Sequence, residues 1–290
     1  MESIYERDGY QLIEGAISQA DLQPLRNDIN EQITLHAREL VNQGKATDLY
    51  LNLPFGKRLV ALHQEAPLTK RSWPTTAFNP SLYPLINHPA IIDAVEAHVG
   101  PDITFVDYLV RPKMPRSEST AFPLHQDSQY YGKASQHAHT VTVWIPLVDV
   151  NEKNGCLFVI PGSHKWELYD SARDENSNMR SFVDVEARGT PIPIPMKAGD
   201  ILLFHNMTFH GSKVNHTDGV RWSVDIRYVR TLGTQATSST EQAGVEFMFE
   251  KMRNVSLHAA MVVRGDGPRW SLEDWQRETE SKRAARATST

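Results

Sequence analysis

Apolar residues recur every three or four positions near the start of the chain and again before residue 100. The first series predicts an amphipathic helix over about residues 19 to 43, with Ser18 as its N-cap and Gly44 as its stop signal. The second series predicts a shorter helix that Pro89 opens and Gly100 closes. Both helices are expected to pack outside a sheet. Their apolar positions are Leu22, Leu25, Ile29, Ile33 and Leu40, and Ile91, Ile92, Val95 and Val99.

After residue 102 the pattern changes to short β-rich runs that Gly, Pro, Asn or Asp separate. Short strands with frequent turns are typical of a sandwich or jelly roll. We therefore expect a mainly β fold with flanking helices, in a single domain over residues 1–290. Its parts would be a mostly helical segment (1–100), a jelly-roll core (101–230) and a helical or irregular segment (231–290), which includes a polar helix capped by Ser271. The runs are ITFVDYLV, TVTVWIPLV, CLFVI, PIPIPM, ILLF and WSVDIRYV.

The run TVTVWIPLV has two different faces. Alternation places its apolar residues on one side, and Thr142 and Trp144 on the other. A strand with one apolar face and one polar and aromatic face suits the wall of a lined cavity. The apolar face comprises Val141, Val143, Ile145 and Leu147.

Composition narrows the classes of function. The chain has 290 residues, 40% of them hydrophobic, with a net charge of -5 and no dense basic block before SKRAAR near its end. The sequence therefore lacks the basic patch that is typical of a nucleic-acid-binding protein, and we expect no nucleic-acid partner. No apolar run is long enough to cross a membrane and no leader precedes the first helix, so we expect a cytoplasmic protein with a small-molecule substrate and no membrane partner. A homodimer is a candidate assembly.

The single cysteine, Cys156, excludes an intrachain disulfide and a thiolate cluster, so any metal must be bound by His, Asp or Glu. In PLHQDSQYYG, His125 and Asp127 are two residues apart, and in extended backbone their side chains point the same way. His210 follows His125 by 85 residues, in a run that predicts a strand and then a turn. Two imidazoles and one carboxylate form a facial triad, which leaves three adjacent positions open on iron(II).

A His-x-Asp pair is a weak signal alone, because His216 and Asp218 form another one in a predicted turn. Arg221 supports the first pair, His125 and Asp127, as the metal ligands. It lies eleven residues after His210, at the start of a predicted strand, where a hairpin would return it beside the metal. A guanidinium binds a carboxylate in bidentate fashion, as the distal end of 2-oxoglutarate requires, and Ser212 could add a hydroxyl donor.

Three segments together carry a resemblance to a known family: HQD, then NGCLFVIPGSHK, then FHNMTFHGSKVNHTDGVR. The chain resembles the phytanoyl-CoA dioxygenase family, clearly over residues 100 to 230. The resemblance implies a double-stranded β-helix that uses iron(II), 2-oxoglutarate and O2. It implies that His125, Asp127 and His210 are the metal ligands and catalytic residues, and that the co-substrate contacts are Arg221, Ser212, Trp144 and Lys70. Thr142, one alternation from Trp144 on the same strand, is a further candidate because it is expected to face the same cavity.

Some relatives that halogenate carry a small residue in place of the acidic ligand. This chain keeps Asp127, so we expect hydroxylation or another oxidation of a small metabolite or natural product. Tyr130 and Tyr131 are candidates for the substrate entrance. Two other functions stay open: a non-catalytic cupin-like binding protein, and a zinc hydrolase with the same three ligands. Five other histidines form an alternative metal set without a matching arginine: His137, His139, His164, His205 and His216.

Overall fold

The computed structural model describes residues 2–67, 73, 78–233 and 238–287. Lys70 therefore lies outside the described residues. Within them, no helix has the length and apolar character needed to cross a membrane. The α-helices are α1 (Ile4–Asp8), α2 (Gln19–Asn42), α3 (Arg58–Glu65), α4 (Asn79–Ile86), α5 (Pro89–Val99), α6 (Ser128–Tyr131), α7 (Ser239–Val255) and α8 (Leu272–Ala287).

Two antiparallel sheets form the core of the fold. The larger has the strand order β1-β9-β4-β11-β2-β12, the smaller has the order β3-β10-β5-β8, and β6 pairs with β7 alone. This is the jelly-roll architecture that the sequence predicts. The strands are β1 (Tyr10–Ile13), β2 (Ile103–Lys113), β3 (Phe122–His125), β4 (Val141–Pro146), β5 (Leu157–Val159), β6 (Ser171–Arg173), β7 (Met179–Ser181), β8 (Ile192–Ile194), β9 (Ile201–His205), β10 (His210–Ser212), β11 (Arg221–Arg230) and β12 (Met261–Arg264).

The two predicted helices are α2 and α5, which cover the outer face of the larger sheet. Ser18 caps α2 by accepting a hydrogen bond from the backbone N–H of Asp21. All the predicted apolar positions of both helices are buried. They share one hydrophobic core with Val141, Val143 and Ile145 of β4. Trp144 belongs to a different cluster on the opposite face of that strand, so the predicted division of β4 into two faces is confirmed.

The larger sheet also takes strands from outside the expected core of residues 101–230. β1 pairs with β9 at one edge, and β12 pairs with β2 at the other. The polar helix α8 docks through Trp275, which is fully buried and donates a hydrogen bond from Nε1 to the carbonyl of Ala259. Sequence periodicity missed these edge strands because each has only four residues, too few to show alternation.

His258 lies in the interface between the C-terminal segment and the sheet. Its ring stacks on Tyr108 with centroids 4.1 Å apart, and neither ring nitrogen has a hydrogen-bond partner in the described part of the chain. Burial, helped by Arg283 and Lys282, lowers the pKa of His258 to about 3. The folded protein therefore holds this imidazole neutral, whereas an unfolded chain protonates it near pH 6.5.

We expect His258→Phe to reduce the acid sensitivity of folding. With a folded-state pKa below the unfolded value, stability is fully present above about pH 6.5 and is lost as the pH falls towards 3, at about 1.4 kcal/mol per pH unit. Phenylalanine keeps the stacked ring and removes the proton. Denaturant unfolding at pH 7.5 and pH 5.0 should show a loss about 2 kcal/mol smaller in the variant. The exposed His216 carries the control, His216→Phe; equal losses in the His258 variant and native protein would contradict the prediction.

Candidate metal centre and cavity

Three predicted ligands meet at one point between the two sheets. His125 ends β3 and His210 begins β10, and the register of these antiparallel strands places the two residues opposite each other. Asp127 Oδ1 lies 3.8 Å from His125 Nε2 and 3.7 Å from His210 Nε2. One donor atom from each residue lies within 4.8 Å of the others, and no other cluster of His, Cys, Asp or Glu among the described residues meets this criterion.

The backbone orients both imidazoles towards that point. His125 Nδ1 lies 2.7 Å from the carbonyl of Pro123, and His210 Nδ1 lies 3.0 Å from the carbonyl of Thr208. A carbonyl only accepts, so each Nδ1 carries the proton and donates it. Each Nε2 is then left with its lone pair facing the other ligands, which is the tautomer that a metal requires.

Asp127 reaches the point by a different route from the one its spacing predicts. The expectation of extended backbone is wrong, because Asp127 has φ -56° and ψ -34° and lies at the start of α6. Its side chain is fixed instead by Thr142, which donates a 2.9 Å hydrogen bond from Oγ1 to Oδ2. Oδ1 is the oxygen left towards the imidazoles. The structure thus places Thr142 against a carboxylate of the triad.

The charge states suit a divalent cation. Burial, together with His210, lowers the pKa of His125 to about 3, although Asp127 opposes this. Burial acts to raise the pKa of Asp127, but Arg227 and the two imidazoles outweigh it and lower the pKa overall. At neutral pH the site therefore offers a neutral His125 and an ionised carboxylate, the forms that bind metals.

A cavity of about 310 Å³ opens beside the triad, and Arg221, Ser212 and Trp144 line it. Arg221 is buried, with its guanidinium carbon 5.2 Å from the Trp144 ring centroid. Its Nη1 donates to Ser223 Oγ, but within the described ranges Nε has no hydrogen-bond partner, and neither has the buried Ser212 Oγ. No carboxylate of the described residues forms an ion pair with Arg221, and burial lowers its pKa to about 10. These unpartnered donors suit a ligand carboxylate.

The inner face of the larger sheet carries further charges that sequence analysis did not single out. Arg227 lies within 4 Å of three carboxylates, at 3.5 Å from Asp225, 3.7 Å from Asp127 and 3.9 Å from Asp107. Burial opposes the charge of Arg227, but Tyr131 and these carboxylates raise its pKa. Arg111 pairs with the same oxygen of Asp225 that faces Arg227, Oδ2, through a 2.9 Å hydrogen bond from Nε. Charged residues recur on one face of β11, and sequence analysis could have used this pattern to find these charges.

Tyr130 and Tyr131, the candidates for the substrate entrance, both line the cavity. The ring of Tyr130 meets His125 edge-on, with the ring centroids 5.2 Å apart, and its hydroxyl accepts a hydrogen bond from the backbone N–H of Met179.

The alternative set of histidines does not form a metal-binding cluster with a carboxylate among the described residues. His139, His164 and His205 instead cluster around the N-terminal helix, with ring centroids 4.6 Å apart for His139 and His205 and 5.7 Å apart for His164 and His205.

A family model matches the part of the chain that contains the triad, Ser212 and Arg221. The model of the phytanoyl-CoA dioxygenases matches residues 5–223, which is most of the chain. The chain belongs to the phytanoyl-CoA dioxygenase family. It is therefore an oxygenase of the non-haem iron class that uses 2-oxoglutarate and O2, as the sequence predicts.

Two curated relatives show the range of the family. A peroxisomal phytanoyl-CoA dioxygenase from Homo sapiens is 26% identical over 284 residues, which cover 90% of this chain and 81% of that protein. A 1-deoxypentalenic acid 11-beta-hydroxylase from Streptomyces arenae is 33% identical over 161 residues, covering 49% of this chain and 55% of the relative.

Solved structures agree on the fold. The non-heme monooxygenase ThoJ aligns with a TM-score of 0.64 at 20% identity, over 99% of this chain and 94% of ThoJ. EctD from S. alaskensis, solved with 2-oxoglutarate and 5-hydroxyectoine, aligns with a TM-score of 0.53 at 19% identity, over 78% of this chain and 74% of EctD. At these identities the likeness supports the double-stranded β-helix and no shared substrate.

We expect Arg227→Met to destabilise the protein by about 3–5 kcal/mol, because removing one partner leaves buried carboxylates without a counter-charge. Arg264→Met removes the same charge from a partly exposed arginine at the protein surface, which pairs with Asp93 and Glu96, and should cost less than about 1 kcal/mol. Denaturant unfolding of the metal-free proteins measures both changes. A loss from Arg227→Met no larger than that from Arg264→Met would show that Arg227 does not balance the buried carboxylates.

Proposed function

We propose that this chain hydroxylates a C–H bond of a small metabolite or natural product. In the balanced reaction, the substrate, 2-oxoglutarate and O2 give the hydroxylated product, succinate and CO2. His125, Asp127 and His210 hold the iron(II), and Arg221 with Ser212 receives the distal carboxylate of 2-oxoglutarate. Trp144 supports this end of the cavity through its contact with Arg221. A cytoplasmic location and a homodimer belong to the same proposal.

The observation that carries this proposal is the pairing of two complementary half-sites in one cavity. On one side, two Nε2 lone pairs and one carboxylate oxygen converge within 4.8 Å. On the other side, Nε of the buried Arg221 guanidinium and the buried Ser212 hydroxyl have no hydrogen-bond partner among the described residues. A metal alone would satisfy the first half-site but would leave the buried donors of the second without acceptors, which costs free energy. A dicarboxylate that chelates the metal satisfies both.

Iron bound here would supply O2 activation, with electrons from the oxidative decarboxylation of 2-oxoglutarate. The chain's own part is to position and to exclude water. Arg221 fixes one end of the co-substrate by a charge-assisted contact, so its keto acid end points at the triad. Thr142 and Arg227 hold Oδ2 of Asp127 and leave Oδ1 for the metal. The aromatic rings of Phe122, Tyr130 and Trp144 line the cavity and limit water around the substrate C–H bond.

Asp127→Ala should abolish the iron site. Anaerobic native protein with iron(II) and 2-oxoglutarate is expected to show a weak visible charge-transfer band, and the variant is expected to lose both the band and turnover. Asp218→Ala is the matched control, since Asp218 belongs to the other His-x-Asp sequence and forms an exposed pair with Arg116. A band of native strength in the Asp127 variant, without added carboxylate or chloride, would refute its role as a ligand. Product analysis separates hydroxylation from other oxidative outcomes.

Arg221→Gln should weaken 2-oxoglutarate binding roughly tenfold to a hundredfold, the range for a hydrogen-bonded charge, while iron binding persists. Ser212→Ala should weaken it less, roughly twofold to tenfold. Titration of the charge-transfer band with 2-oxoglutarate gives the dissociation constants. Arg116→Gln, at an exposed arginine, is the control. An unchanged constant in the Arg221 variant would remove the co-substrate role and would favour a site that binds metal alone.

A further inference from the structure

Arg111 differs from the other two arginines that line the cavity because solvent reaches it. About 30% of its side chain is exposed, against 6% for Arg227, and Arg221 is buried. The hydrogen bond from Nε to Asp225 fixes the guanidinium on one side. On the other side, its Cζ lies 5.1 Å from the ring centroid of Phe122, a residue of the facing sheet. The charge is therefore held in place across the gap between the sheets, at the cavity's open end.

The terminal nitrogens of Arg111 have no acceptor within hydrogen-bonding distance among the described residues. The nearby carboxylates do not supply one. Asp225 accepts from Arg111 only at Oδ2, which it shares with Arg227, and its Oδ1 has no hydrogen-bond partner among the described residues; Asp107 lies within ion-pair distance of Arg227. A rigid guanidinium with its outer edge free matches the two oxygens of a carboxylate in spacing and in charge.

A second cation stands at the rim of the same opening. Arg173 places its guanidinium carbon 5.5 Å from the Tyr130 ring centroid and donates a 2.8 Å hydrogen bond from Nη1 to the carbonyl of Ser177. Tyr130 and Ser177 both line the cavity, so Arg173 lies beside its opening. Two positive charges at the mouth of a cleft attract anions and raise their rate of entry.

We propose that the open end of the cavity is a subsite for a carboxylate of the substrate, which Arg111 receives through its terminal nitrogens. The substrate class is then a small free carboxylic acid, in keeping with a cavity of about 310 Å³, near the lower limit for small-molecule sites. The inference rests on the proposed function, because it reserves Arg221 for 2-oxoglutarate. Arg111 lies opposite Ser223 on the neighbouring strand, so Arg221 is its diagonal neighbour and the two carboxylates would bind next to each other. Arg111 determines specificity and orients the substrate, leaving the opposite end of the molecule towards the triad.

Matched probes test the charge of the ligand apart from its shape. Benzoic, cyclohexanecarboxylic and octanoic acids are each compared with their primary amides, and octanoic acid also with octanoyl-CoA. Calorimetry under anaerobic conditions measures their binding to the protein loaded with iron(II) and 2-oxoglutarate. At least one acid is expected to bind about tenfold more tightly than its amide, and octanoic acid more tightly than its CoA thioester. Failure of every acid to exceed its amide, or a preference for the thioester, would overturn the proposal.

Arg111→Gln separates direct contact from an indirect effect through Asp225 and Arg227. Direct contact predicts that the ratio of acid to amide affinity falls to about one, whereas a structural effect would weaken both probes alike and keep the ratio. Arg264→Gln removes an equal charge far from the cavity and should keep the native ratio. Circular dichroism and the 2-oxoglutarate titration check that the Arg111 variant is folded. A variant that loses 2-oxoglutarate affinity and keeps its preference for the acid would place Arg111 in the co-substrate clamp and overturn the proposal.

The two proposals fail in different ways. If the charge-transfer band is absent but the native protein prefers acids and Arg111→Gln removes that preference, the oxygenase assignment of these residues is wrong and the carboxylate subsite stands. If the band is present and no preference for acids exists, the metal and co-substrate assignment stands and the subsite is wrong. The same calorimetry on metal-free protein shows whether the preference needs the metal.

Discussion

The pairing of β10 with β3 is the constraint on which the candidate site depends. It sets His210 opposite His125 across two strands that are far apart in the sequence. Backbone carbonyls two residues before each histidine then fix the ring, so the direction of each Nε2 lone pair follows from the strand geometry itself. A slip of one residue in this pairing would turn one imidazole to the other face of the sheet. The jelly roll therefore supplies the ligands and their orientation together.

The cost of burying an ionised Asp127 explains much of the chemistry around it. An isolated buried carboxylate is strongly unfavourable, and the opposite charge of Arg227 within 4 Å offsets this cost. Arg227 is itself buried, and further carboxylates stabilise its charge. Asp107 and Asp225 flank Arg227 in this way, and Arg111 continues the alternation towards solvent. The inner face of the sheet thus carries alternating positive and negative groups that keep the metal ligand ionised before any metal binds.

Sequence patterns predicted those parts of the molecule that local periodicity determines. The helix with Ser18 as its N-cap and the two-faced strand β4 were predicted because burial on one side imposes a period. The triad and Arg221 were predicted from residue type and spacing together with the family resemblance. Asp127 was expected in extended backbone because the sequence does not show that a helix begins there. Sequence analysis did not single out Arg227 and Arg111, because their role depends on which carboxylates face them across neighbouring strands. That strand register is a long-range property, which the local sequence does not show.

The C-terminal segment joins this network at its far end. Ser256, just after α7, donates a hydrogen bond to Asp107 Oδ1, and Asp107 lies beside Arg227. α7 itself packs tightly on the segment that follows α6, since a Cβ at Gly244 would come within 2.6 Å of the backbone of His137. The match to the family model ends at residue 223, before Arg227 and Ser256. The residues that stabilise the charge of Asp127 therefore include ones beyond the matched range, and the packing of the C-terminal segment on the sheet brings them to the site.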